Sequence, residues 1–264
     1  MARKASMVRT IAVSGSASGI GGSLAGMLRD AGETVIGIDL RDADVCADLS
    51  VPEGRARAVA ETLERAGGRL DAVVACAGVS DFTVMPVKVN FFGVVGLLEG
   101  LRPALAAAEA PRAAVVGSIS GTHPVDDDVV RACLEGDEPA AIAAATKVEE
   151  SGAGGRLYPS SKSALAQWLR RVCTTPEWAG AGIPLNAIAP GVVKTPMSAP
   201  LFEDEGMFEI MKEAVPMPLN GFAGPEVIAS ALDWLISPAN THMTGQVIYV
   251  DGGAEATLRD AAHF

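Results

Sequence analysis

The sequence is poor in the residues that would announce a metal centre or a disulfide framework. Four cysteines, Cys46, Cys76, Cys133 and Cys173, and three histidines, His123, His242 and His263, are scattered through 264 residues. None stands in a C-x-x-C pair or at ligand spacing from another, so free thiols and no protein-bound metal are expected. Basic charge is scarce as well: 21 Lys and Arg stand against 32 Asp and Glu, a net charge of −11. Nucleic acid is therefore not an expected partner, because binding a polyanion rests on clustered cations that release counterions. The N-terminal apolar run is short as well. The basic start "MARKASMVRT" is followed by only a few apolar residues before a glycine turn, too short for a signal-peptide core or a membrane span. The expectation is a cytoplasmic protein with no membrane partner.

What the chain has is 49% hydrophobic residues, enough for a single core spanning residues 1–264. Apolar, β-branched runs ("VRTIAVS", "TVIGID", "DAVVACAG", "AAVVGSIS", "PLNAIAP", "GQVIYVDGG") alternate with stretches of helical spacing such as "LAGMLRDAG" and "RARAVAETLERAG". Strands that are apolar throughout and alternate with helices predict an α/β fold, a single Rossmann-type doubly wound parallel sheet with helices on both faces. Ligands of such sheets bind at the C-terminal ends of the strands. That singles out the glycine turn, Asp39, "CAG", Ser118 and "PGVVKT".

Two segments break the rhythm. From Gly121 to Arg156 runs an acidic, alanine-rich stretch, an insert of about 122–156, in which Pro124 and Pro139 are placed as helix starts and a glycine cluster as a stop. Two short helices are predicted there. From Ser198 to Pro218, Leu201, Phe202, Met207, Phe208, Ile210, Met211 and Met217 supply soft apolar surface between prolines. Because this segment directly follows a strand end, it reads as a substrate lid, the alternative being an ordinary amphipathic surface helix.

The turn "SGSASGIG" places Gly15, Gly19 and Gly21 as G-x-x-x-G-x-G, not the common G-x-G-x-x-G. The logic is shared: glycines let a ligand approach the backbone, and the following helix N-terminus attracts phosphate. Asp39, ending the second strand, can accept hydrogen bonds from ribose hydroxyls and would repel a 2′-phosphate, which favours NAD over NADP. Arg41 could greet a phosphate instead, but the glycine loop carries no basic residue. Farther along, "YPSSK" spaces Tyr158 and Lys162 four apart, on one helix face. A phenol, with a pKa of about 10, is a poor base near neutrality unless a neighbouring positive charge stabilises its phenolate, and Lys162 is placed to supply that charge.

Taken together these segments resemble the short-chain dehydrogenase/reductase family over nearly the whole chain. "SGSASGIG" stands for its T-G-x-x-x-G-I-G, "CAG" for N-N-A-G, "VNFFG" for its N-x-x-G helix and "GSISG" for its catalytic serine segment, followed by "YPSSK", "NAIAPGVVKTPM" and "DGG". The resemblance implies that Tyr158 is the acid/base, that Lys162 lowers its pKa and holds the nicotinamide ribose, that Asn90 supports a water-linked proton relay and that Ser118 hydrogen-bonds the substrate oxygen. The family's S-x-x-G selects Ser118, closed by Gly121, over Ser120. For the cofactor it implies Gly15, Ser18, Gly19, Ile20 and Gly21 in the turn, and Asp39, Leu40, Asp48 and Leu49 on the adenosine side. Ala77, Gly78, Pro190, Gly191, Val193 and Thr195 complete that set, with Thr195 on the carboxamide.

The departures are informative. Ser14 replaces a threonine, Ala75 and Cys76 replace both asparagines of N-N-A-G, and the segment between Gly78 and Asn90 is short, leaving little room for the usual helix. Ser118 and Tyr158 lie 40 positions apart, so the insert must loop out for them to meet. These features resemble the family's branch of bacterial 3α-hydroxysteroid dehydrogenases/carbonyl reductases. That branch implies NAD-dependent interconversion of a secondary alcohol and a ketone, a small apolar substrate of steroid-like bulk, and a homo-oligomer, dimer or tetramer, assembled through a face other than the one the insert covers. Two other readings stand beside it: the same chemistry on a terpene or other alicyclic alcohol, and a non-catalytic NAD-sensing regulator, which would have no need of Ser118, Tyr158, Lys162 and Asn90 together.

Overall fold

The structure, a computed structural model, describes residues 8–263; the basic "MARKASM" lies outside them. Seven parallel strands run in the order β3-β2-β1-β4-β5-β6-β7: β1 Thr10–Ser14, β2 Thr34–Asp39, β3 Val45–Cys46, β4 Ala72–Ala75, β5 Arg112–Val116, β6 Leu185–Pro190 and β7 Val247–Val250. The chain turns back at β1–β4, where Ser14 pairs with Ala75, so the strand order reverses where the glycine turn leaves the sheet. Six strands are those predicted. β3 was not, because two residues inside "DADVCADLS" carry no periodic signal.

Period-two alternation divides the strand side chains between two cores. Ile11, Val13, Ala72 and Val74 face Leu24 and Leu28 of α1 (Gly19–Asp30) and Ile228, Leu232 and Leu235 of α9 (Pro225–Leu235). Ala12, Val73 and Val115 face the other side, with Ala58 of α2 (Pro52–Arg65), Leu97 and Leu101 of α3 (Val94–Ala106), and Leu165 and Trp168 of α6 (Leu157–Val172). Helix Val87–Ala106 is long and apolar enough to cross a membrane, but half of that window is buried against this second core.

The insert forms two helices, α4 (Asp127–Glu135) and α5 (Glu138–Glu150). Pro139 lies in the first turn of α5, as its fixed φ favours. Pro124 does not start α4. Asp126 takes the cap, its Oδ1 accepting the Val129 N–H at 3.0 Å, which leaves the proline in the lead-in. Gly152, at φ +79°, follows the end of α5. The 198–218 segment folds as α7 (Pro200–Glu203) and α8 (Glu205–Ala214), and α10 (Ala254–Leu258) follows "DGG".

Between Gly78 and Asn90 there is no separate helix. Residues 79–84 form a loop, and Val87–Gly93 is wound as a π-helix that runs directly into α3. A π-turn rotates its residues off the helical register, and here it turns Asn90 fully into the interior.

Candidate active site

A cavity of about 750 Å³ opens at the C-terminal ends of the strands, a size suited to a cofactor together with a small substrate. Its wall contains Gly15, Ser18, Gly19, Ile20, Gly21, Asp39, Leu40, Asp48, Leu49, Ala77, Gly78, Ser118, Tyr158, Lys162, Pro190, Gly191, Val193 and Thr195. Of the site residues inferred from sequence, Asn90 alone is not on that wall.

The nucleotide end is made of backbone. Gly15 takes φ +69°, and a Cβ on Gly21 would overlap the Gly15 carbonyl oxygen, so α1 can start this close to β1 only with glycine at 21. No side chain caps the start of α1 after Ser18, so its first-turn N–H groups face the cavity's turn with the positive end of the helix dipole behind them. Asp39 is fixed at the end of β2, Oδ2 accepting the Ala17 N–H at 3.0 Å and Oδ1 the Leu40 N–H at 2.7 Å. Asp48 is held by Ser50, whose hydrogen bonds lower its carboxyl below the usual range. An uncapped helix start, a packed glycine turn and a positioned carboxylate fit a dinucleotide. The hydrogen bonding lost with the two N-N-A-G asparagines is met from β1, where Ser14 Oγ accepts the Ala77 N–H at 3.1 Å.

The reacting end is made of side chains brought from afar. Tyr158 and Lys162 occupy the first two turns of α6, and Ser118 caps the short helix Ile119–Thr122, its Oγ accepting the Ser120 N–H at 3.1 Å. Ser118 and Tyr158 meet on the wall of one cavity, so the 40-residue gap closes as required. α4 and α5 loop out and are stapled back where the Asp126 N–H donates to Ser160 Oγ at 2.9 Å, itself donating to Arg156 O. Burial raises the Tyr158 phenol above its ordinary range, and the Ser118 hydrogen bond opposes that rise. Lys162 is buried; desolvation lowers its ammonium to about 8. It donates to Val116 O at 2.8 Å and lies 5.8 Å from the Tyr158 ring centroid, which leaves its charge poised beside the phenol rather than bonded to it.

Asn90 works one layer behind. Its Oδ1 accepts the Val79 N–H at 2.8 Å, and its Nδ2 donates to Val79 O at 2.9 Å and to Ser161 Oγ at 3.1 Å. Ser161 in turn donates to Tyr158 O. The asparagine therefore joins the loop after β4 to the helix that carries the tyrosine. Sequence reasoning missed Phe82, Met85 and His123 on the cavity wall. None sits in a motif; the signal that could have found Phe82 and Met85 was the shortened segment itself, which keeps those side chains close to the end of β4.

The comparisons agree with this geometry. A family model described as Enoyl-(Acyl carrier protein) reductase matches residues 15–255. The 3-alpha-hydroxysteroid dehydrogenase/carbonyl reductase of Comamonas testosteroni is 36% identical over 253 residues, 94% of this chain and 97% of that protein. The chain belongs to the short-chain dehydrogenase/reductase family. Among solved structures, the 3-alpha-hydroxysteroid dehydrogenase of Pseudomonas sp. B-0831, complexed with NADH, superposes with a TM-score of 0.87 at 42% identity, covering 95% of this chain and 98% of that one. Levodione reductase, at 22% identity and a TM-score of 0.73 over 94% of this chain and 98% of that one, shows the shared fold alone. As a short-chain dehydrogenase/reductase the chain is an NAD(P)-dependent oxidoreductase.

Proposed function

We propose that the protein interconverts a bulky apolar secondary alcohol, a 3α-hydroxysteroid or a carbonyl compound of similar bulk, and its ketone, using NAD in preference to NADP. The observation that carries the reading is the meeting of Ser118, Tyr158 and buried Lys162 on the wall of one cavity that also holds Asp39. The nicotinamide, when bound, supplies the hydride acceptor or donor. Ser118 orients the alcohol oxygen toward Tyr158, and the deprotonated phenol accepts the hydroxyl proton; in reduction the phenol returns it. Lys162, buried and cationic, stabilises the phenolate electrostatically and would hold the nicotinamide ribose. Asn90 positions the Val79 backbone and α6, with both polar ends of its amide already occupied.

Asp39 supports NAD because a carboxylate locked by two backbone N–H groups suits ribose hydroxyls and repels a 2′-phosphate. Bulk and apolarity are supported by the lid: Leu201, Met207, Ile210 and Met211 line the cavity, and Met207 and Ile210 are exposed there. The names of the two full-length relatives point the same way. The testing experiment follows NADH absorbance with androsterone, its 3β epimer and a cyclic terpene alcohol, each with NAD+ and NADP+. Turnover of androsterone with NAD+ is the expected result; preference for the terpene alcohol would overturn the substrate, and preference for NADP+ the Asp39 argument. Failure of every alcohol despite NADH binding would favour a nucleotide sensor.

A further inference from the structure

The loop at residues 79–84 is short, lacks secondary structure and is nevertheless tied down at both ends. Asn90 holds Val79 through two hydrogen bonds, and Glu149, near the end of α5, accepts the Val84 N–H at 3.0 Å. Inside the loop Asp81 Oδ1 accepts from the Thr83 N–H and hydroxyl at 2.9 and 2.7 Å, and Thr83 Oγ1 accepts the Met85 N–H at 3.2 Å. At its tip stands Phe82, 69% exposed and on the cavity wall. The glycines that follow α5 are shaped to it: a Cβ on Gly154 would overlap the Phe82 carbonyl oxygen, and one on Gly155 would touch its ring at 3.8 Å. A large aromatic ring facing an apolar cavity, on backbone pinned from three directions, loses little further freedom when a ligand covers it.

We infer that Phe82 is a specificity-determining residue for multi-ring substrates, and that the helical insert is the device that positions it, through Glu149 and Gly154. The insert's other end supports this. Glu138 at the start of α5 pairs with Arg55 at 2.5 Å, and Arg55 also donates to Leu49 O on the adenosine wall at 3.4 Å. One helix thus connects, through Arg55 and through Glu149, to both the Leu49 side of the cavity and the 79–84 loop. Phe82 shares the cavity wall with Ser118 and Tyr158, so an alcohol held at those two residues covers Phe82 only if it is large enough to extend along the cleft.

This inference rests on the alcohol oxidoreductase reading above. Its test compares Phe82→Ala, Phe82→Leu, Glu149→Ala and Glu149→Gln with the parent on cyclohexanol, a fused two-ring alcohol and androsterone, alongside equilibrium binding of the four-ring ketone to the NADH-loaded protein and of NADH itself. Phe82→Ala should raise KM for androsterone about tenfold and for cyclohexanol about twofold or less, with NADH affinity kept. Glu149→Ala should shift KM in the same size-dependent order with kcat nearly held, and Glu149→Gln, which retains an acceptor oxygen, should restore it. Equal KM factors across the three alcohols, or loss of NADH affinity in Phe82→Ala, would overturn the inference. If the parent oxidises none of the alcohols, the reaction reading fails, whereas unchanged binding of the four-ring ketone to Phe82→Ala would separately refute the role given to Phe82.

Discussion

The two ends of the cavity are built in different ways. The nucleotide end consists of backbone that leaves β1 and β2 and turns at once: glycines with no room for a Cβ, an uncapped helix start, and a carboxylate locked by its neighbours' N–H groups. The other end is lined by three separated segments, residues 79–82, the α7–α8 segment and Gly155 in the turn that follows α5. The α7–α8 segment is joined to the loop before α9 by a cluster of three rings, Phe202, Phe208 and Phe222, with centroids 5.6 to 6.2 Å apart. Ring contacts and methionines can repack at low cost, while a glycine turn against a strand cannot. One end is therefore dictated by packing that admits a single residue, and the other tolerates variation, which suits a common cofactor and a variable substrate.

Substitutions can break that contrast. The largest effect is expected at the boundary: Tyr158→Phe should lower kcat by about a thousandfold or more, with NADH affinity retained in a fluorescence titration, because only the oxygen proposed to transfer the proton is removed. Gly21→Ala should come next. The new methyl group would meet the Gly15 carbonyl, so both the thermal midpoint and cofactor affinity should fall, at a cost of about 3 kcal/mol; an unaltered midpoint would show the nucleotide end to be as pliant as the lid.

Lys162 gives a result of opposite sign for stability and activity. Burial lowers its folded pKa to about 8, below the ordinary lysine value of 10.5, so the folded state binds fewer protons than the unfolded chain between those values. Stability from this group therefore rises as pH climbs from about 8 toward 10.5, and the full penalty, of order 3 kcal/mol, is present below 8. Lys162→Met should consequently raise the denaturation midpoint at pH 7 while abolishing turnover; a lowered midpoint would mean that the bond to Val116 O outweighs desolvation.

Smaller changes sharpen the comparison. Asp39→Asn should narrow the preference for NAD+ over NADP+ by about tenfold in kcat/KM, since a nearby charge is worth about one such factor. Met207→Ala in α8 should alter the ranking of alcohols severalfold and leave NADH affinity unchanged, a contrast in which any sizeable loss of cofactor binding would show that the two ends are coupled.

Much of this architecture is legible without coordinates. The period of the apolar runs names the strands and the doubly wound sheet, and the glycine spacing, Asp39 and the four-residue step from Tyr158 to Lys162 are local relations that the chain carries along its own backbone. What sequence could not decide is what depends on residues meeting across long separations. The closure of Ser118 on Tyr158 over the insert, the inward turn of Asn90 in a π-helix, the capture of Val84 by Glu149 and the fit of Phe82 to Gly154 all arise only when distant segments pack. Local geometry is set by covalent spacing; these contacts are set by which surfaces the folded sheet brings together, and no period or motif encodes that.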